Sequence, residues 1–196
     1  MKDFEDLGFH CGVDEVGRGA WSGPVVAAAV RFDKRHNIKG LADSKTLSSQ
    51  KRIGLYFEIL ETFSVGVSFS SAKSIDSSNI LGSSLHVMQE AAQKVSSEKD
   101  GLYFDGNLLP KRFRSATRAY SIVKGDKKIA SIAAASIVAK VSRDFYMKSL
   151  NLRFPGYGWE KNAGYGVGQH KTAIYKLGIN TEHRRSFKPI YNILCL

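Results

Sequence analysis

The order in which short and long apolar patterns alternate limits this chain to few folds. Five short runs have the composition and spacing of strands, at residues 9–16, 24–32, 63–69, 102–104 and 117–123. Longer runs with helical periodicity separate them, so the order is strand, strand, helix, strand, helix, strand, strand, helix. This order predicts an α/β fold with a mixed sheet covered by helices. The first two strands are joined by a short glycine-rich loop and should pair antiparallel.

Each predicted helix carries one apolar stripe that should face the sheet. Ser48 is a suitable N-cap for the first helix, the second spans about 78–95, and the third about 129–150. A further short helix is expected at about 169–176. The expected stripes are Ile53, Tyr56, Phe57 and Leu60 in the first helix, Leu81, Leu85, Met88, Ala92 and Val95 in the second, and Ala134, Val138, Val141 and Phe145 in the third. The small residues of 133–136 should let the third helix approach the sheet closely.

The chain is strongly basic, and its excess of positive charge indicates the kind of molecule that it binds. Among 196 residues, 29 are Lys or Arg and 18 are Asp or Glu, which gives a net charge of +11. Such a domain attracts polyanions, of which nucleic acid is the commonest. Solubility alone is the alternative explanation, although it does not require so large a charge.

The size and the cysteines predict one domain in a reducing compartment. Residues 1–196 fit a single compact domain, with about 155–196 as a glycine-rich and then basic C-terminal portion. Cys11 and Cys195 lie far apart without a CxxC pair, so we expect neither a disulfide framework nor a zinc site. The acidic N-terminus is unlike a signal peptide, and no apolar stretch is long enough to span a membrane. We therefore expect a cytoplasmic protein, with a monomer as the default.

Acidic residues stand where three of the predicted strands end. Asp14 and Glu15 end the first strand, Asp105 follows the apolar 102–104, and Asp126 follows the last strand. A buried acid at such a position is costly unless it binds a cation, and neighbouring strands would bring all four to one sheet edge. Oxygen ligands suit Mg²⁺ and Mn²⁺, and a pair of such ions can activate water for attack on phosphorus. Taken singly, each acid is more often a turn former or a helix cap.

Seven motifs along the chain resemble those of one nuclease family. They occur in the family's order and cover almost the whole chain. The motifs are Gly12-Val13-Asp14-Glu15-Val16-Gly17-Arg18-Gly19, Ala42-Asp43-Ser44-Lys45, Phe104-Asp105-Gly106-Asn107, Lys124-Gly125-Asp126, the helical segment 132–144, Gly164-Tyr165-Gly166 and His183-Arg184-Arg185-Ser186-Phe187. In these motifs the chain resembles type 2 ribonuclease H (ribonuclease HII).

The resemblance implies the ribonuclease H-like fold, a five-stranded mixed sheet flanked by helices with a helical C-terminal portion that contacts substrate. It also implies a metal-dependent endonuclease that hydrolyses the RNA strand of RNA/DNA hybrids. Such an enzyme nicks duplex DNA 5′ of single ribonucleotides, as in ribonucleotide excision repair, and leaves 3′-hydroxyl and 5′-phosphate ends. The implied cofactor is Mn²⁺ or Mg²⁺, and no obligate protein partner is implied. The implied catalytic and metal-binding residues are Asp14, Glu15, Asp105 and Asp126, the same four acids found at the strand ends.

A substrate-binding surface follows from the same resemblance. Gly17-Arg18-Gly19 would read the 2′-hydroxyl beside the scissile phosphate, the group that distinguishes RNA from DNA. Tyr165 would pack on the deoxyribose that follows the ribonucleotide. Four basic residues are expected to contact phosphates, namely Lys45, Arg143, Arg184 and Arg185. Asp144 on the long helix is expected to form a structural ion pair, and His170 and His183 to form hydrogen bonds or contact phosphate.

Two short segments depart from the family pattern. Ala20-Trp21 replaces a proline and an aliphatic residue, and Lys161-Asn162-Ala163 replaces a more basic run that contains histidine. Neither segment includes a carboxylate of the predicted site, so we expect them to alter substrate grip rather than activity. The related type 3 enzymes carry an added N-terminal substrate-binding domain, which we do not expect here because the first motif begins at Gly12.

Two other functions compete with this prediction. One is a catalytically inactive nucleic-acid-binding module, and the intact acids argue against it because a pure binder gains nothing from them. The other is a different two-metal nuclease on the same fold, such as an integrase-like enzyme. The Gly17–Gly19 loop and Tyr165, both suited to finding a ribose within DNA, argue against that alternative.

Overall fold

One five-stranded sheet organises the protein. The structure, a computed structural model, describes residues 9–32, 40–41 and 47–195. The strands are β1 His10–Val16, β2 Val25–Phe32, β3 Ser64–Ser70, β4 Gly101–Asp105 and β5 Ala119–Ile122. They lie in the order β3-β2-β1-β4-β5, with β1–β2 and β2–β3 antiparallel and β1–β4 and β4–β5 parallel. The expected mixed sheet and its antiparallel first pair are both confirmed.

Helices cover both faces of this sheet. They are α1 Ser49–Thr62, α2 Ala72–Ser77, α3 Ile80–Gln93, α4 Ala130–Arg153, α5 Trp159–Asn162, α6 Gly168–Leu177 and α7 Lys188–Leu194. Short 3-10 turns at Lys111–Phe113 and Gly125–Lys127 follow β4 and β5. α3 packs on one face of the sheet, and α1 and α4 pack on the other. Ser48 caps α1 as expected, since its hydroxyl accepts the Lys51 N–H.

α4 lies directly on β1, as its run of small residues predicted. Residues 131–139 are all buried, and three consecutive alanines lie among them. Gly12 on β1 has no room for a side chain, because a Cβ there would collide with the backbone of Ser131 and Ile132. This contact fixes the first part of α4 beside the end of β1, where the first two acids lie.

The expected buried face of α1 is only partly correct, since Ile53 and Tyr56 pack against the core. Leu55 and Ile59 are buried, whereas Phe57 and Leu60 expose 52% and 40% of their area. α1 packs on α4 and on Phe63, and this contact selects the side of the helix that carries Leu55 and Ile59. Two further residues expected in the core, Leu81 of α3 and Phe145 of α4, are also exposed.

Both faces of β3 are covered, although only one was expected to be. On the expected face Phe63 is buried and Val65 and Val67 pack against the core, while Phe69 is exposed. On the other face Gly66, Ser68 and Ser70 are buried. α3 packs so closely there that a Cβ at Gly66 would lie 2.5 Å from the carbonyl oxygen of Ala91, so only small residues fit under this helix.

The C-terminal helices build a third apolar cluster against the last turns of α4. Its buried members are Met147, Leu150, Tyr157, Trp159, Ala173, Ile174 and Ile190. α6 falls where a short helix was expected. In the part of the chain that the structure describes, no helix is both long and apolar enough to cross a membrane.

Candidate active site

The four acids lie at the ends of neighbouring strands. β1 pairs with β4 up to Val13 and Phe104, so the next residues, Asp14 and Asp105, follow side by side at the same edge of the sheet. Asp105 is itself paired with the last residue of β5, after which the chain turns through Lys124 and Gly125 to Asp126. Parallel strands thus bring distant parts of the sequence to one edge.

Backbone N–H groups hold two of these carboxylates in place. The Glu15 N–H donates to Asp14 Oδ1 at 2.7 Å, and the Gly125 N–H donates to Asp105 Oδ1 at 2.7 Å. Gly125 is buried, and a Cβ there would lie 2.5 Å from Ile132 and 3.3 Å from Asp105 Oδ1. A side chain at the position before Asp126 would therefore have to displace the end of the Ile132 side chain and would crowd the Asp105 carboxylate.

The acids crowd negative charge into a partly buried space. Burial, followed by the charges of Glu15 and Asp105, raises the pKa of Asp14 well above its ordinary value. Burial also raises the pKa of Glu15, against the opposing effect of Arg18, and it raises the pKa of Asp105. The described residues supply one cation to this group, Arg18, whose guanidinium lies 3.3 Å from Glu15 Oε1. Negative charge at this edge is therefore incompletely compensated.

The donor chemistry of this edge fits a divalent cation. All four side chains are carboxylates, which Mg²⁺ and Mn²⁺ prefer as ligands, and a bound cation would relieve the repulsion that raises these pKa values. Within residues 9–32, 40–41 and 47–195, no three Asp, Glu, His or Cys side chains already form a compact ligand cluster. Mutual repulsion between ionised carboxylates opposes such a cluster in the protein alone.

The glycine-rich loop and Tyr165 meet beside this edge. Gly17 is buried with φ +93°, and a Cβ there would collide with the Arg143 side chain. Gly19 and Arg18 are exposed, and a Cβ at Gly19 would lie 3.9 Å from the Tyr165 ring. The structure therefore brings the Gly17–Gly19 loop and Tyr165 into one surface although they are far apart in sequence.

Arg143 does not occupy the position expected of a phosphate ligand. It is completely buried, and its guanidinium donates to the carbonyls of Pro24 at 2.8 Å, Ala163 at 2.8 Å and Ser22 at 3.1 Å. Its guanidinium carbon also lies 5.6 Å from the centre of the Tyr165 ring. Arg143 therefore connects the β1–β2 loop with the C-terminal portion. Arg143 thus holds these segments together, and its expected phosphate contact is corrected to a structural one.

Arg184 is corrected in the same way. It is completely buried and donates to the carbonyl of Gly23 at 3.0 Å and to that of Arg18 at 2.9 Å. Burial and the nearby Arg143 lower the pKa of Arg184 to about 9. Two buried guanidiniums therefore support the loop from Arg18 to Pro24. A basic residue gives no sign in the sequence that backbone carbonyls will enclose it.

The remaining expected phosphate ligands have different placements. Arg185 is exposed, while its backbone N–H donates to Asp76 Oδ2 at 2.9 Å. Lys45 lies outside the described residues, together with its motif 42–45.

Asp144 forms the expected ion pair, with Lys140 at 2.7 Å.

His170 forms hydrogen bonds, one of the two roles expected of it, and acts as a positioning residue. It is buried, and its Nε2 receives the Trp159 Nε1–H at 3.1 Å. Because an indole nitrogen only donates, Nδ1 of His170 carries the proton and donates to the carbonyl oxygen of Tyr165 at 3.0 Å. His183, also buried, lies 3.4 Å from His170 Nε2. Both histidines therefore have hydrogen-bonding roles, and they support the segment that carries Tyr165.

The two departures from the family pattern meet at that same segment. The backbone N–H of Trp21 donates to the Gly164 carbonyl at 2.8 Å. The indole of Trp21 occupies the space that a Cβ of Gly166 would need. Asn162 Oδ1 accepts the Gly164 N–H at 2.8 Å. The altered residues thus surround Tyr165 and leave the four acids untouched.

Comparison with known proteins agrees with this architecture. The family model described as Ribonuclease HII matches residues 11–190. Ribonuclease HII of Ruegeria sp. (strain TM1040) is 48% identical over 183 residues, covering 93% of this chain and 79% of that protein. The ribonuclease in the PCNA:RNase HII complex from Archaeoglobus fulgidus superposes with a TM-score of 0.78 at 26% identity, over 92% of this chain and 95% of that one. Bst-RNase HIII, solved in complex with Mn²⁺, shares the fold with a TM-score of 0.74 at 22% identity, over 97% of this chain and 71% of that one.

Proposed function

The chain belongs to the ribonuclease HII family of endoribonucleases, and from that premise we propose that it hydrolyses the RNA strand of RNA/DNA hybrids and nicks duplex DNA 5′ of single ribonucleotides. The products carry 3′-hydroxyl and 5′-phosphate ends. The observation that carries this proposal is the adjacency of two features. Four acids share one sheet edge, and the Gly17–Gly19 loop with Tyr165 forms a surface beside them.

In this proposal Asp14, Glu15, Asp105 and Asp126 hold Mn²⁺ or Mg²⁺. Bound there, a divalent ion supplies activation of water and charge stabilisation at the leaving oxygen. The protein holds Asp14 and Asp105 through the backbone N–H groups of Glu15 and Gly125, so that their carboxylates stay at the edge. Burial of Asp14 limits competing water at the site.

Recognition of the ribonucleotide falls to the loop and to Tyr165. Gly17 and Gly19 let the backbone approach a sugar closely, and exposed Arg18 is placed to contact a phosphate. Tyr165 then packs on the deoxyribose that follows. Buried Arg143 and Arg184 do not contact the substrate in this proposal, but they hold the loop by its carbonyl oxygens. Arg185 is exposed and remains a candidate phosphate ligand.

Cleavage of matched duplexes tests the function. A labelled DNA duplex with one ribonucleotide should be cut once, on its 5′ side, and the same duplex without the 2′-hydroxyl should stay intact. The reason is that only the 2′-hydroxyl distinguishes the two substrates. Denaturing gels locate the cut, and resealing of the nick by a ligase that joins only a 3′-hydroxyl to a 5′-phosphate identifies the ends. Equal cutting of both duplexes would contradict the proposed recognition.

Divalent metal should stabilise the protein as well as activate it. Mn²⁺ or Mg²⁺ at about 100 times its Kd is expected to increase the free energy of unfolding by about 2.7 kcal/mol, because binding favours the folded state. Thermal unfolding in metal-free buffer and across a metal titration measures this effect. NaCl at matched ionic strength is the control, and an equal rise in Tm with NaCl would show that general screening is responsible.

Tyr165→Ala should impair junction recognition. We expect kcat/KM for a single embedded ribonucleotide to fall about fivefold or more, since aromatic contact with a nucleotide contributes roughly 1–3 kcal/mol. Tyr165→Phe keeps the ring and should retain most of the activity. A uniform hybrid contains no RNA-to-DNA junction and should be affected less. Equal losses on both substrates would remove Tyr165 from junction recognition.

A further inference from the structure

Positive charge is concentrated in one segment outside the loop and Tyr165. Residues 108–128 contain seven Lys or Arg side chains and a single acid, Asp126, whereas the whole chain has a net charge of +11. This segment of 21 residues thus carries a net +6. Burial of Arg143 and Arg184 removes two cations from the accessible surface, which makes the segment a still larger share of the charge that a polyanion can reach.

The segment joins the open edge of the sheet at β5 and ends at the acids. β5 is an edge strand, with β4 as its sheet neighbour. Lys111, Arg112, Arg114 and Arg118 lie before β5, and all four are exposed. We call these four residues the basic edge. Past β5 the chain reaches Asp126, so the basic edge and the acidic site share one continuous element of structure.

Two of these guanidiniums are anchored without being neutralised. Arg118 donates to the Lys99 carbonyl at 2.6 Å, and Arg114 donates to the Leu109 carbonyl at 3.3 Å. Between residues that the structure describes, the ion pairs involve Arg18, Arg31, His86 and Lys140 and none of the basic edge. An anchored but uncompensated cation loses less conformational entropy when it binds an anion.

We propose that the basic edge binds backbone phosphates of the duplex that flanks the cleavage site, an inference that rests on the proposed function. The four residues of β5 span roughly 13 Å, the rise of about four base pairs. Arg118, before the start of β5, is therefore well placed for the flank and too distant for the scissile phosphate. An acidic protein would also fit the charge, but continuity with the acidic site favours the substrate duplex.

A triple charge reversal, Arg112→Glu with Arg114→Glu and Arg118→Glu, tests this surface. Each phosphate contact contributes about 0.9 to the slope of log affinity against log salt. KM should rise when salt is increased from 50 to 200 mM, and the loss of three contacts should make that rise roughly fortyfold smaller. The value of kcat at saturating substrate should not change. The substrates are long duplexes with one central ribonucleotide, and versions of them in which one flank or the other is shortened to about two base pairs. The shortened flank ends inside the reach of about four base pairs, while the other flank stays long.

The truncations distinguish this surface from a general effect of charge. In the unmodified protein, shortening one particular side should raise KM, and the triple variant should be insensitive to that same truncation. The matched control is Lys51→Glu with Lys73→Glu and Lys148→Glu, which reverses three exposed charges elsewhere. Equal losses in the two triple variants, or an unchanged salt dependence, would overturn the assignment. Failure of the unmodified protein to cut the long duplex would instead refute the proposed function.

Discussion

Asp14→Asn is expected to lower the cleavage rate by about a thousandfold or more while leaving affinity for the duplex largely intact. The loss follows from removing one carboxylate ligand of a divalent ion that contributes several kcal/mol to the transition state. The amide has the same shape, and its oxygen can still accept the Glu15 N–H that now reaches Asp14 Oδ1. Geometry is therefore kept and charge is lost.

The same variant should be more stable than the natural protein in metal-free buffer. The pKa of Asp14 is raised in the folded state, so the ionised carboxylate favours unfolding at neutral pH. Metal-free natural protein should lose this part of its stability as pH rises from the ordinary aspartate pKa through the raised one. Asp14→Asn should lack that loss, and added Mn²⁺ or Mg²⁺ should stabilise it less.

Asp144→Asn is the matched control for Asp14→Asn. Asp144 is a carboxylate on α4 whose partner is Lys140, and both side chains are partly exposed. Its replacement should change stability by less than about 1 kcal/mol and leave cleavage unchanged. Single-turnover cleavage, filter binding and thermal unfolding of the three proteins measure these effects. Cleavage by Asp14→Asn at the natural rate would remove Asp14 from the catalytic site.

The acidic edge could be predicted because its determinants are local. An acid that directly follows an apolar strand reveals itself in the sequence, and the parallel pairing of β1, β4 and β5 then brings Asp14 and Asp105 together without further information. The order of strands and helices was predictable for the same reason. Patterns a few residues long determine where these elements begin and end.

The roles of the arginines could not be predicted, because burial is decided by tertiary contacts. Arg143 and Arg184 look like any surface cation in the sequence, yet each is enclosed by carbonyl groups from a loop more than a hundred residues away. Burial of the second face of β3, which carries Gly66, Ser68 and Ser70, could not be predicted for a related reason. Close packing of α3 leaves room only for small side chains there. Glycine and serine are not apolar, so a search for alternating apolar residues does not detect a face built from them.

Arg143→Met should destabilise the fold by about 3–5 kcal/mol, because buried carbonyl groups lose charge-assisted hydrogen bonds that contribute about 1.5–3 kcal/mol each. Methionine fills a similar volume but donates no hydrogen bond, so the carbonyls of Ser22, Pro24 and Ala163 lose their donor. Gly17 rests on this guanidinium and Tyr165 packs beside it, so the surface that reads the ribonucleotide loses its support. Activity should therefore fall even at temperatures where the variant remains folded.

The loss should appear as impaired discrimination as well as lower stability. At a temperature where circular dichroism shows Arg143→Met to be folded, kcat/KM for the single ribonucleotide should fall more than kcat/KM for a uniform hybrid, because only the former depends on Tyr165 at a junction. Arg153→Met is the control, since Arg153 is exposed on the same helix and should alter stability by no more than about 0.5 kcal/mol. If both variants were equally stable and equally active, the Arg143 guanidinium would be dispensable, and other residues would have to hold the loop in place.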